Sequence, residues 1–315
     1  MNTLVVTNCS NRKASTALPC RLMQEQVASW SVAQVAESWG RVLQTASSKQ
    51  SAVHLYCGRA MTDAKWVAAQ TGGSLSIVSA GLGVIGGSDL VPNYDATVSD
   101  RRNWLGGFLN QTATPSSVWW KVLCESLGRS SSLVNLLQAT TASTKLVAMP
   151  ASYLAMIKAD LAEMPDSALN NVYIFTSPAG QRELPARLQP HALPYDGRLD
   201  GIAAFSGTQT DFPQRAMRHF VSHVLAERLT ISLATASVEN CLRPLEKPAR
   251  PTRARLDDSQ IKDFLRGAWT LQRGESSRLL SHLRKGAGIA CEQGRFRTLW
   301  KEVREEMLSS QSIAK

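Results

Sequence analysis

A chain of 315 residues with 43% hydrophobic content can bury a sizeable core, as one large domain with a small one or as two medium ones. No apolar run is long enough to cross a bilayer, and Met1-Asn2-Thr3-Leu4 does not open a basic-then-apolar export signal. A cytoplasmic protein is therefore expected. The formal net charge of +10 points to a polyanionic partner, nucleic acid above all, and most of the excess sits in residues 243–315, with 16 Lys and Arg against 9 Asp and Glu.

In chain order, Thr3 to Thr7 is a short β-branched strand followed by the polar loop Asn8-Cys9-Ser10-Asn11-Arg12-Lys13. Small polar groups and two cations at a strand tip suit an anion or a polar ring, although a plain surface turn has the same composition. Apolar spacing from Met23 to Ala46 predicts one or two helices covering a sheet. Val53 to Cys57 reads as a strand, and Gly58-Arg59-Ala60 opens a helix whose Arg59 either binds a phosphate or pairs with an acid.

Leu75 to Ser79 is a further strand. It breaks into four glycines within seven residues (Gly81, Gly83, Gly86, Gly87) and runs on to a Pro92 turn carrying Tyr94 and Asp95. Such glycine density lets backbone approach a ligand closely, and a hairpin or packing loop is the competing reading. Residues 101–109 and 116–127 read as helices with Trp104, Phe108, Trp119 and Trp120 at core spacing. A base-stacking role for Trp119 or Trp120 is the lesser alternative. Lys145 to Pro150 reads as a strand, Ala151 to Leu161 as a helix, and Val172 to Phe175 as a strand with the polar tip Thr176-Ser177-Pro178-Ala179-Gly180. This alternation predicts an α/β domain, a mostly parallel sheet with helices on both faces, whose polar strand tips converge on one edge.

After a loop-rich stretch at 185–201, Asp211 and Pro213 open a helix on which Arg215, Arg218 and His219 share a face. Residues 243–256 interleave three prolines with basic residues and read as a linker between a domain at 1–242 and a helical module at 257–315. That module shows helical segments at 257–266, 276–285 and 291–307, the last two joined through Gly286-Ala287-Gly288. This is a helix-turn-helix layout that would present Gln293, Arg295, Arg297 and Lys301 to a major groove.

Six scattered cysteines without a C-x-x-C pair argue against a zinc site or a disulfide framework, and no metal or organic cofactor is expected. Phosphate-loop, H-E-x-x-H and G-x-S-x-G motifs are absent, which removes the nucleoside triphosphatase, zincin and serine-hydrolase readings.

If the strand tips form one pocket, it holds Asn8, Ser10, Tyr94, Asp95 and Ser177, with Gly81 giving room, Arg12 and Arg59 at the rim, and Lys13 nearby as a further DNA-binding cation. An amide, an aromatic ring and one carboxylate suit cleavage of an N-glycosidic bond better than acyl or phosphoryl transfer. The base is held by stacking and amide hydrogen bonds, and a carboxylate stabilises the oxocarbenium-like state or positions water. Flanking cations, with Arg215, Arg295 and Arg297 further along the chain, would contact DNA phosphates.

The segments Asn8-Cys9-Ser10-Asn11-Arg12-Lys13, Tyr56-Cys57-Gly58-Arg59, Ser79 to Ile85 and Val91-Pro92-Asn93-Tyr94-Asp95 together resemble motifs of a bacterial family. That family is similar to the uracil-DNA-glycosylase-like domains associated with archaeosine transglycosylases and synthases, and its members occur in phage-defence settings. The resemblance covers about residues 3 to 100, more faintly to 220. It implies a three-layer α/β/α sandwich and excision of a modified base from phage DNA, glucosylated hydroxymethylcytosine being the substrate of one relative. The Gly-Gln-Asp-Pro water-activating motif of uracil glycosylases is missing here, so Asp95, Asp89 and Asp211 all stand as candidates for the catalytic carboxylate. Base exchange on tRNA or DNA and non-catalytic sensing of a modified nucleotide are the alternatives. Lys13 is the amine placed for a strand-cleaving step. No membrane and no obligate protein partner are expected.

Overall fold

The computed structural model describes residues 2–128, 133–226, 229–249 and 253–313, with the side chains of 310–313 left aside. It divides into two compact units, residues 1–248 and 249–315.

The first unit is built on strands β1 (Thr3–Asn8), β3 (Ser74–Ser79), β4 (Gly83–Gly86), β6 (Thr144–Ala148) and β7 (Val172–Phe175), in the order β4-β3-β1-β6-β7. The strands β3, β1, β6 and β7 are parallel, and β4 turns back antiparallel on β3. A separate antiparallel pair joins β2 (Lys49–Ser51) to β5 (Leu90–Pro92).

Side-chain alternation sends the two faces of the sheet into two cores. From β1, Leu4 and Val6 enter a core with Val35, Trp39, Trp104, Phe108, Trp119 and Leu123, from the helices Val32–Gln44, Trp104–Gln111 and Ser116–Ser126. Val5 faces the other way, joining Leu146 and Phe175 against Val67, Met217 and Phe220 of the helices Arg59–Thr71 and Phe212–His223. Helices thus cover both faces, as the alternating sequence pattern predicts. The chain steps from β1 to β3 on one side and then crosses to β6 on the other, so the strand order reverses between β1 and β6. In an open parallel sheet the crevice beyond the carboxyl ends of such strands is the usual ligand position.

Two segments differ from the sequence reading. Residues 53–57, expected as a strand, fall in a short helix, Ala52–Leu55, and its exit. A five-residue apolar run has no decisive period, and the tight turn after β2 takes it up. The glycine stretch is a hairpin, β3-Ala80-Gly81-Leu82-β4, the competing reading given above.

In the second unit, β8 (Ala254–Arg255) lies parallel to β9 (Ile289–Ala290) beside the helices Asp258–Ala268, Ser276–Ser281 and Gln293–Ile313. Ser276–Ser281 runs on into a wider π-helical turn, His282–Gly286. Ile261, Leu265, Leu279, Leu283, Phe296 and Val303 form its own core. The segment between the last two helices therefore carries a strand and is not the tight turn of the expected helix-turn-helix layout. The basic proline stretch is also less of a free tether than its composition predicts. Leu245 packs onto the first unit's core and 254–255 pairs in the second, while 250–252 lie outside the described residues.

Candidate active site at the strand tips

Beyond β1 and β3 the side chains are packed around Tyr94. Its ring is 1% exposed, and its hydroxyl lies 2.8 Å from the Tyr56 hydroxyl and 2.6 Å from Ser79 Oγ. Ser79 Oγ also accepts the Gly81 and Leu82 amides, which closes the hairpin turn. A Cβ on Gly81 would lie 2.7 Å from the Tyr94 ring, so the room that glycine leaves is filled by the protein's own tyrosine and not by a ligand. Trp39 Nε1 donates to Gly81 O and Trp119 Nε1 to Ala80 O. Both Trp119 and Trp120 are fully buried, which makes them core residues. The expectation that Tyr94 offers a stacking face is corrected by the same packing.

Lys13 reaches over this cluster, with Nζ 4.2 Å from the Tyr94 ring centroid and 5.9 Å from that of Tyr56. Burial lowers its pKa from the usual lysine value, against the opposing pull of Cys9, Asp95 and Cys57. It is therefore a half-buried amine lying over the two tyrosines, not an exposed cation. Cys9 Sγ is 3.0 Å from Tyr153 Oη, and burial raises the pKa of Tyr56, Tyr94 and Tyr153 alike, keeping all three phenols neutral.

Asp95 stands at the mouth of the cluster, exposed to solvent. Its Oδ1 accepts from Asn103 Nδ2 at 2.8 Å, and its carbonyl accepts from Trp104 Nε1. Asn103 is itself fixed, since its Oδ1 accepts the Thr97 and Leu105 amides at the start of the Trp104–Gln111 helix. Asn103 is legible in the sequence as an Asn before an apolar helix, the signature of an N-cap.

On the other side of β1, at the reversal of strand order, lies a residue that sequence reasoning missed. Gln214 is fully buried, and its Nε2 sits 2.9 Å from Thr7 Oγ1, 2.8 Å from Asn8 Oδ1 and 3.1 Å from Ala148 O. The Ala148 carbonyl can only accept, which fixes the amide's orientation. Gln214 Oε1 is buried and has no partner among the described residues. Asn8 donates to Cys9 O, so the two amides form one chain at the tip of β1. No motif flags a lone glutamine inside a helix.

The remaining expected residues have other duties. Ser10 Oγ donates to Arg12 O and Cys57 O and holds the loop's shape, and Ser177 Oγ caps a short helix by accepting the Gly180 amide. Asp89 closes a turn by accepting the Gly86 amide. Arg12 is exposed near the site, whereas Arg59 donates to the carbonyls of Ala204 and Ser206.

Arg215 is fully buried. It pairs with Asp211 at 2.8 Å and Asp200 at 2.7 Å and donates to the carbonyls of Phe205 and Thr208, so it is a structural ion-pair hub and not a DNA contact. Asp211 occupies the N-cap position, yet its carboxylate accepts from Arg215 and the Thr208 amide and caps nothing, which also takes it out of the chemistry. Arg218 pairs with buried Asp63, and His219 Nδ1 lies 2.8 Å from Tyr195 Oη. In the second unit Arg295 is bound to Asp258 and Leu256 O, while Arg297 is exposed.

Among the described residues, no group of three or more His, Cys, Asp or Glu is placed to hold a metal ion, and no helix is long and apolar enough to cross a membrane. No protein-family model matches the chain, and searches of curated proteins and of solved structures return no match either.

Proposed function

We propose that the chain is a DNA glycosylase that excises a modified base, glucosylated hydroxymethylcytosine in phage DNA being the leading substrate. The observation that carries the reading is the solvent-facing Asp95 carboxylate. It is held by Asn103 beside half-buried Lys13, at the strand-tip edge where Asn8 is braced from behind by buried Gln214. An extruded base presents donors and acceptors along its edge, and the partly exposed Asn8 amide, oriented by Gln214, is suited to read them. As the N-glycosidic bond breaks, its electron pair leaves with the base, and positive charge builds at C1′ and the ring oxygen. Asp95 stabilises that charge and orients water, whose oxygen bonds to C1′; one water proton passes to the departing base and the other stays on the new C1′ hydroxyl. Closely packed neutral phenols behind the site leave the carboxylate as its principal anion.

The test is an abasic-site assay with an aldehyde-reactive probe, on phage DNA carrying glucosylated hydroxymethylcytosine and on unmodified DNA. Abasic sites in the modified DNA alone are expected. If neither DNA gains them while both bind the protein, excision of this base is ruled out and sensing or base exchange takes its place.

A further inference from the structure

The second unit carries a basic groove distinct from the helix face that the sequence pattern favours. Two adjoining cavities, of about 810 and 490 Å³, share Arg253 and Arg284 in their walls. Arg255 and Lys285 add two more cations to the walls, and Arg295, already paired with Asp258, completes the basic lining, against the carboxylates Glu275 and Glu292. Glu275 is paired with Arg278 at 2.9 Å.

Backbone carbonyls hold two of the arginines in place. Arg253 Nε donates to Arg284 O at 3.2 Å, and Arg284 donates through Nε and Nη2 to Cys291 O at 3.1 and 2.7 Å. Carbonyls orient a guanidinium without neutralising it, so the groove keeps its field. Ser276, Ser277 and Ser281 add hydroxyl donors to the same walls.

The long helix Gln293–Ile313 is different. Its acids neutralise neighbouring cations, Glu302 binding Lys262 and Glu306 binding Arg266, and Arg295 is taken up by Asp258. A phosphate approaching that helix meets carboxylates among the cations.

We propose that this groove, formed by β8, the His282–Gly286 turn and the start of the last helix, grips the phosphodiester backbone of DNA. It would supply affinity that does not depend on base sequence. The proposal rests on the reading of the protein as DNA-directed but not on base excision, and its test uses DNA that offers no base to excise.

Binding of the full-length chain to an unmodified 20-base-pair duplex is measured by fluorescence anisotropy across a salt series. Two double variants remove equal charge: Arg255→Gln with Lys285→Gln in the groove, and Arg297→Gln with Lys301→Gln on the helix. All four side chains are exposed, so both variants should keep the wild-type melting temperature. Loss of two phosphate contacts lowers the slope of log affinity against log salt by about 2, and affinity near 0.1 M salt falls between roughly ten- and a hundredfold. That loss is expected of the groove pair, with the helix pair near wild type. Equal losses in both pairs, a loss confined to the helix pair, or no binding by the wild type would each overturn the proposal.

Discussion

The strand tips of the first unit and the groove of the second handle charge in opposite ways. In the first, cations and carboxylates near the strand tips are drawn into closed sets. Arg215 is enclosed by Asp200, Asp211 and two carbonyls, and Arg218 and Arg59 converge on buried Asp63. In the second unit, Arg253 and Arg284 lean on carbonyls and keep their charge for something outside the protein. Buried, mutually satisfied charge fixes geometry and makes a shaped site possible; oriented but unneutralised charge attracts a polyanion from a distance. Asp95 is the acid near the strand tips that escapes the first pattern, and this is why it carries the chemistry proposed above.

The comparison breaks most readily at Arg215. Arg215→Met leaves Asp211 and Asp200 without their partner in a buried setting and should cost about 3–5 kcal/mol, lowering the first unit's melting temperature by about 10 °C. A shift of a degree or two in calorimetry would show that the enclosed set contributes little.

Acid acts on the same helix through His219. Burial, with His223 stacked on it at 4.7 Å, lowers its pKa from the usual histidine value to about 4. The folded state thus keeps His219 neutral where the unfolded chain binds a proton. The stability it supports is complete above pH of about 6.5 and declines as pH falls toward 4, by on the order of 3 kcal/mol. Melting temperatures at pH 7.5 and 4.5 should differ less in His219→Gln than in the wild type, and an identical difference would remove His219 from the account.

Gly81→Ala has the smallest effect of the three. A Cβ 2.7 Å from the Tyr94 ring forces that ring and Lys13 to shift, at about 1–3 kcal/mol. The melting temperature should fall accordingly. An unchanged value would mean that the turn has space after all.

Much of the architecture was legible because β1, β3, β6 and β7 are short β-branched or apolar runs spaced by helical periodicity, a pattern that leaves few alternatives to a parallel sheet. The site was less so. Glycines in sequence announce space but not its occupant, and Tyr94 lies 13 residues after Gly81. Asp211 and Arg215 look like a cap and a free cation until the loop holding Asp200 folds over them. Gln214 has no pattern of its own, and its meaning comes from the meeting of β1 and β6. The groove of the second unit is assembled from segments near 253, 284 and 295, so a count of basic residues found the unit but not the groove.

The most direct test of the central claim is to compare Asp95→Asn with the wild type in the abasic-site assay on glucosylated hydroxymethylcytosine DNA, with melting temperature and DNA affinity measured in parallel. An amide oxygen at that position still accepts from Asn103, so fold and binding should be retained. Abasic-site formation should drop at least a hundredfold. Abasic sites appearing at the wild-type rate in the Asp95→Asn protein would contradict the account and move the chemistry away from the strand-tip edge.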